Sequence, residues 1–252
     1  MNEDRFWQVF FEIHQDLPRE GPGDSESTLK AFSMLAHLPR HARILDIGCG
    51  PGAQTLDLLS LGDGNIVAVD NHQPFLDQLA ERTAQRGLSD RVTLVNGDMF
   101  NLDFEEGAFD LIWAEGSIFI IGFENGLRKW KPLLKQDGYL AATEAAWLRP
   151  DPPEELQGFW REEYPAIQDI EANLRVITER AGYRHIAHFT LPKSAWWTDY
   201  YEPIERKLPI LWEKYKDDDE ALPVLEMHQR EIDLYRKYSD YYGYVFFLMQ
   251  AS

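Results

Sequence analysis

An α/β fold built on a central, mostly parallel sheet is predicted by three features of this 252-residue sequence. Short apolar runs recur at residues 44–47, 66–69 and 109–114, each of a length suited to a buried strand. Segments with apolar residues at helical spacing stand between them, which is the βαβ alternation of a parallel sheet. Three alternate glycines, Gly48, Gly50 and Gly52, then join the first strand to the first of these helices.

In chain order, residues 2–38 read as two helical pieces broken at residues 18–23, with Ser25 or Ser27 placed to cap the second. The segment Gly21-Pro22-Gly23 reads as an interhelical loop or a lid turn. After strand 44–47, residues 53–61 form a helix whose Ala53, Leu56 and Leu59 share a face and which Gly62 ends. A second strand, 65–70, finishes on Asp70. A helix over 74–86 follows, with Phe75, Leu76, Leu79 and Ala80 on one face and Gly87 beyond its end. Strands at 91–96, 109–114 and 138–142 complete the run, the last two separated by a helix over 127–134. The remainder is aromatic, with Trp147, Phe159, Trp160, Tyr164, Trp196, Trp197, Tyr200 and Tyr201. Within it the pattern predicts helices at 167–180, 205–215 and 222–238 and strands at 184–191 and 244–249. The aromatic rings either line a pocket or bury insert helices.

Glycines between a strand and a helix N-terminus let the backbone turn sharply and approach a nucleotide-like ligand closely. In dinucleotide sites the pattern is Gly-x-Gly-x-x-Gly. Here the third glycine comes one residue early, and Asp46 stands two residues before the first. That carboxylate suits an ammonium or sulfonium group better than a pyrophosphate. The pattern Asp46-x-Gly48-x-Gly50-x-Gly52 resembles motif I of the class I S-adenosylmethionine-dependent methyltransferases. Further matches fall in order. Asp70 ends strand two where the family's ribose-binding acid stands, Gly97-Asp98-Met99 matches its adenine-contacting Gly-Asp pair and the residue that packs on the ring, and Asp110-Leu111-Ile112 with Glu115 matches its motif IV. Asn71 departs from the apolar residue often found there. It is kept as a cofactor contact or as a cap on the next helix.

The resemblance implies a Rossmann-like seven-stranded sheet of order 3-2-1-4-5-7-6 with strand seven antiparallel. It implies one methyltransferase domain over 1–252, with an N-terminal helical cap (1–40), a cofactor core (41–145) and substrate-side inserts (146–252). The implied activity, of EC 2.1.1 type, transfers the methyl of S-adenosyl-L-methionine to a small molecule, leaving S-adenosyl-L-homocysteine. Asp46, Gly48, Gly50, Gly52, Asp70, Asn71, Asp98, Met99 and Glu115 are the expected cofactor contacts. Glu115 is also the expected catalytic group, orienting the acceptor or taking its proton, because the residues just past strand four face the transferred methyl at the switch point of such sheets; a buried structural acid is the alternative. The whole chain looks like a group of bacterial stand-alone small-molecule methyltransferases, for which a homodimer is admissible. A noncatalytic S-adenosylmethionine sensor or partner subunit is the alternative, and a nicotinamide dehydrogenase is disfavoured by the glycine spacing.

Composition narrows the partners. The chain carries 43 acidic and 25 basic residues, a formal charge of −18, a field that repels phosphate backbones and argues against nucleic acid. The single Cys49 excludes an internal disulfide framework, fits a reducing compartment, and sits where packing is a better use than nucleophilic chemistry. No apolar stretch approaches the roughly 20 residues that cross a bilayer, and no basic start precedes an apolar run, so a cytoplasmic protein is expected. The acidic run 217–220 reads as a solvated turn, since the alternating ligands and glycine of a calcium loop are missing. Asp151-Pro152-Pro153-Glu154 lies after strand five and lacks the stacking aromatic of amino-methylating enzymes on nucleic acids. His185 and His188 are expected on opposite strand faces, and no metal site is expected.

Overall fold

In the computed structural model, which describes residues 3–252, the apolar runs pair as the alternation requires. Strands β1 (Arg43–Ile47), β2 (Asn65–Asp70), β3 (Val92–Asn96), β4 (Phe109–Ala114) and β5 (Leu134–Trp147) are parallel. A two-residue β6 (Gln168–Asp169) adds to the end of β5, and β7 (Tyr183–Thr190) and β8 (Tyr242–Ala251) close the edge. The order is β3-β2-β1-β4-β5-β8-β7, with β8 antiparallel to both neighbours. This is the implied order, shifted in number only by the small β6.

The helices are α1 (Glu3–His14), α2 (Ser25–Ser33), α3 (Ala53–Leu61), α4 (Gln73–Gln85), a single turn α5 (Ile118–Ile121) and α6 (Phe123–Trp130). Then come α7 (Glu154–Glu163), α8 (Ile170–Arg175), a short α9 (Ser194–Trp196), α10 (Glu202–Lys214) and α11 (Leu222–Tyr238). One face of the sheet packs Leu45, Ile47, Ile112, Leu140 and Phe247 with α6 and the segment after α8. The other packs Ile44, Leu111, Trp113 and Leu248 with α3 and α4. A third cluster unites α1, α7, α10 and α11 around Trp160, Trp196, Tyr201, Tyr235 and Tyr242.

Several expectations are corrected. The predicted start of the first helix at Asn2 lies outside the described residues. Asp24, rather than Ser25 or Ser27, caps α2, its carboxylate accepting the Ser27 N–H at 2.6 Å. Strand β5 is 14 residues long, far beyond 138–142, because Leu134 already pairs with Phe109 of β4 and β8 pairs with it from Tyr139 to Trp147. The helix expected over 167–180 starts only at Ile170, where Asp169 accepts the Ala172 N–H at 2.7 Å. Helix α7 was not anticipated, although Leu156, Phe159 and Trp160 sit at helical spacing after Pro153. His185 and His188 share a side, with ring nitrogens 3.1 Å apart. A bulge between His185 and Ala187 inserts one residue and flips the alternation. The acidic run is a turn as expected, in which Asp218 accepts the Glu220 and Ala221 N–H groups and pairs with Arg5.

Candidate active site

The site is built at the carboxyl end of the sheet, where β1 runs into the glycine loop. Gly48, Gly50 and Gly52 all have positive φ, at 71°, 51° and 88°. Each serves a different contact. A Cβ on Gly48 would lie 2.4 Å from the Ser117 Cβ, and one on Gly52 would lie 2.2 Å from a Leu79 methyl carbon. On Gly50 it would meet only the Glu20 side chain, at 3.3 Å. Gly48 and Gly52 therefore let β4 and α4 close on the loop, while the open face of Gly50 is covered by the segment joining α1 and α2.

That segment is the roof. Arg19, Glu20, Gly21 and Pro22 line a cavity with Gly48, Cys49, Gly50, Gln54, Glu115 and Gly116. Arg19 is buried, donating to Glu115 Oε1 and to Asp57 Oδ2, each at 2.9 Å. The Gly23 N–H donates to the Ala195 carbonyl at 3.0 Å and ties the roof to α9. Residues 18–23 thus cover the glycine loop, with the lid geometry that the Gly-Pro-Gly turn allows.

The predicted residues divide in role. Asp46 is fully buried and turned toward α3, accepting from Thr55 Oγ1 at 2.5 Å and Gln54 Nε2 at 3.3 Å, and burial raises its pKa to about 7. Asp70 accepts the Gly50 N–H and the His72 N–H, both at 2.9 Å, and so braces the loop; burial raises its pKa as well. Met99 reaches the same end of the sheet, its Cε 3.7 Å from the Cβ position of Gly48. Asp98 is exposed and holds its own turn, accepting from the Phe100 N–H at 2.9 Å and Asn101 Nδ2 at 3.1 Å. Asn71 is exposed and does not cap α4, since the cap position belongs to His72, which makes no side-chain cap bond. His72 instead stacks on Phe11 at 3.8 Å and meets the edge of Phe75 at 4.6 Å, bringing rings to the place where an apolar neighbour of Asp70 was missing.

Both oxygens of Glu115 are engaged by side chains. Its Oε1 takes Arg19, and its Oε2 accepts from Thr28 Oγ1 at 3.0 Å and Trp113 Nε1 at 3.1 Å. Burial raises its pKa while Arg19, Trp113 and Thr28 oppose the rise. A carboxylate with three donors anchors the roof to β4 and has little capacity left to take a proton from an acceptor.

Sequence reasoning missed a relay behind the roof. Glu20 Oε2 lies 3.0 Å from His14 Nδ1, His14 Nε2 lies 3.2 Å from His228 Nε2, and His228 Nδ1 lies 2.7 Å from the Val224 carbonyl. A carbonyl only accepts, so His228 Nδ1 carries the proton and donates to Val224. Burial depresses His14 to about 3 and His228 to about 4, so both rings are neutral. His14 Nε2–H must then donate to His228, and the protonated carboxyl of Glu20 must donate to His14. Burial and the nearby Asp70 agree with this, raising Glu20 to about 8. Spacing gave no hint, because His14 and His228 are 214 residues apart.

Glu20 and Glu115 line this cavity, Asp46, Asp57 and Asp70 stand close behind it, and Arg19, Lys207 and Arg82 are the cations nearby. The arrangement suits a cationic ligand that lies along a glycine-built backbone surface. Among the described residues no cluster of three metal-ligating side chains occurs, and no helix is long and apolar enough to cross a membrane.

Comparison with known proteins agrees with this geometry. Residues 44–138 match a methyltransferase domain family. The chain is 26% identical over 121 residues to a sterol 24-C-methyltransferase of Aspergillus fumigatus, covering 46% of this chain and 32% of that protein. It is 25% identical over 135 residues to the sterol 24-C-methyltransferase of Debaryomyces hansenii, covering 52% and 35%. The match thus spans about a third of the length of these relatives. Among solved structures, a SAM-dependent methyltransferase from Geobacter sulfurreducens in complex with S-adenosyl-L-homocysteine superimposes with a TM-score of 0.79 at 20% identity, covering 98% of both chains. One from Thiobacillus denitrificans, also in complex with S-adenosyl-L-homocysteine, gives 0.79 at 18% identity over 100% of both. YjhP from E. coli gives 0.80 at 20% identity, over 97% of this chain and 100% of that one. At these identities the solved structures establish the shared fold.

Proposed function

We propose that this chain, whose residues 44–138 match a methyltransferase domain family, transfers the methyl group of S-adenosyl-L-methionine to a small-molecule acceptor. The observation that carries the proposal is the acidic cavity between the glycine loop and the roof. S-adenosyl-L-methionine supplies an activated methyl on a sulfonium sulfur, so the protein's work is binding, alignment and exclusion of water.

The residues divide that work. Asp70, already fixed by two backbone N–H groups, has lone pairs left to accept from ribose hydroxyls. Gly50 gives the methionyl chain a surface without side chains once Glu20 yields. Met99 and the His72–Phe11 stack offer apolar surface for a purine ring. Asp46 and the remaining acids favour the cationic end electrostatically. Arg19, held by Glu115 and Asp57, keeps the lid over the loop and is available to a carboxylate. In this reading 1–40 is the cap, 41–145 the cofactor core and 146–252 the acceptor side. The small-molecule, nucleic-acid-free, cytoplasmic character read from the sequence belongs to the same proposal.

Ionised carboxylates favour a cation and protonated ones do not. With Glu20 raised to about 8 and Asp46 to about 7, both bind protons near neutrality and release them as the cation arrives. Affinity for S-adenosylmethionine is therefore expected to tighten severalfold from about pH 6 to about pH 7.5, with proton release into the buffer. Calorimetric titration in two buffers of different ionisation enthalpy measures both. A flat affinity with no proton release contradicts this charge assignment.

A further inference from the structure

We propose that Glu144 is the acceptor-side carboxylate of this protein and that the acceptor it receives is an amine, because its buried Oε2 stands without a partner among aromatic rings beside the cofactor cavity. The inference rests on the methyl-transfer reading above.

Register places the group. Ala114 of β4 pairs with Ala142 of β5, the last pair of that ladder, and Glu144 stands two residues further along β5. Adjacent strands lie about 4.8 Å apart. The Gly116 N–H donates to Thr143 Oγ1 at 2.7 Å, which holds the two segments together, and Gly116 lines the cofactor cavity. Glu144 is therefore one strand away from the cavity wall, at the carboxyl end where such sheets bind ligands.

Its surroundings define the ligand. Glu144 is 2% exposed, and its Oε2 has no hydrogen-bond partner. The Tyr164 hydroxyl and the Ala145 N–H oppose the effect of burial on this carboxyl. Phe119 meets the edge of Tyr164 at 6.0 Å. Tyr244, whose hydroxyl feels the charge of this acid, has its Cε2 4.0 Å from the Cβ position of Gly116 and packs on Trp196 at 4.9 Å. An unpartnered buried acid is costly and calls for a reason. A neutral alcohol or thiol leaves the charge of the ionised form uncompensated. An ammonium group compensates it and is also attracted by the ring faces. Burial holds the carboxyl near a pKa of about 8, so it sheds its proton as the cation enters.

The step balances. Glu144 accepts one N–H proton from the bound ammonium group. The freed nitrogen lone pair forms the N–C bond as the C–S bond breaks, and that bonding pair stays on sulfur. The products are a methylated ammonium ion and the neutral thioether.

The test uses the full chain saturated with S-adenosyl-L-homocysteine and titrated with benzylamine, ethanolamine and glycine, each against its hydroxyl counterpart. Tryptophan fluorescence reads binding and calorimetry in two buffers reads protons. At least one amine is expected to bind about tenfold or more tightly than its counterpart, releasing close to one proton at neutral pH. Glu144→Gln should abolish the preference and the proton release, and Tyr164→Phe should weaken both, with affinity for S-adenosyl-L-homocysteine unchanged in each as the folding check. Equal binding of amines and hydroxyl counterparts, binding of neither, or undiminished discrimination in Glu144→Gln overturns the inference while the methyl-transfer reading stands. Failure of S-adenosyl-L-homocysteine to bind the wild-type chain overturns both.

Discussion

Gly52→Ala is expected to destabilise the protein by about 2–5 kcal/mol, the sum of two separable terms. A non-glycine residue in left-handed backbone costs roughly 1–2 kcal/mol, and Gly52 sits at φ 88°. The new Cβ would also lie 2.2 Å from Leu79 Cδ1, 2.9 Å from Cγ and 3.1 Å from Cδ2. Leu79 is fully buried on α4, so its branch cannot swing away without disturbing the packing of α3 and α4. Overpacking of this kind typically adds about 1–3 kcal/mol. Gly87→Ala isolates the first term, since Gly87 has φ 65° and no atom within 4 Å of its Cβ position. Thermal melts should therefore show Gly52→Ala falling clearly further than Gly87→Ala, by roughly 2–4 °C for each additional kcal/mol. Equal shifts would mean that the third glycine serves only backbone conformation.

Asp70→Ala acts on the cofactor. In the free protein its carboxylate bonds the Gly50 and His72 N–H groups and so shapes the loop before any ligand arrives. The proposed reading adds ribose hydroxyls as further donors to the same oxygens. Loss of a charge-assisted hydrogen bond costs about 1.5–3 kcal/mol, which is a tenfold to hundredfold loss of affinity. Loosening of the Gly50 turn works in the same direction. The Kd for S-adenosyl-L-homocysteine should therefore rise at least tenfold, while Asp70→Asn, which keeps an acceptor oxygen, should recover part of it. An unchanged Kd in folded Asp70→Ala would remove Asp70 from the site.

The legible part of the molecule was the part governed by local chemistry. Alternation of apolar runs with helical spacing located β1 to β4 and the helices between them, and each of the three loop glycines takes a positive φ. What stayed hidden depends on partners distant in sequence. The extension of β5 beyond Ala142 is set by β8, about a hundred residues away. Glu115 was correctly placed at the end of β4, yet its partner Arg19 is 96 residues earlier, and that contact was not legible from spacing. The same limit concealed His14 and His228, and it concealed Glu144, an ordinary-looking acid within an apolar strand until its burial and its unpartnered oxygen are known. The aromatic segment was visible as composition, but its use was not. Trp160, Trp196 and Tyr201 are at most 8% exposed and mainly bind α1, α7, α10 and α11 into one layer. Tyr164 and Tyr244 stand where that layer meets the sheet.

The most direct test of the central claim is turnover of S-adenosyl-L-methionine by the purified chain against a panel of small metabolites, followed by mass spectrometry. Methyl transfer predicts S-adenosyl-L-homocysteine and a product heavier by one methylene, formed in equal amounts with at least one acceptor of the panel. Tight binding of S-adenosyl-L-methionine with no S-adenosyl-L-homocysteine formed from any acceptor would contradict it and leave a cofactor-binding sensor in place of an enzyme.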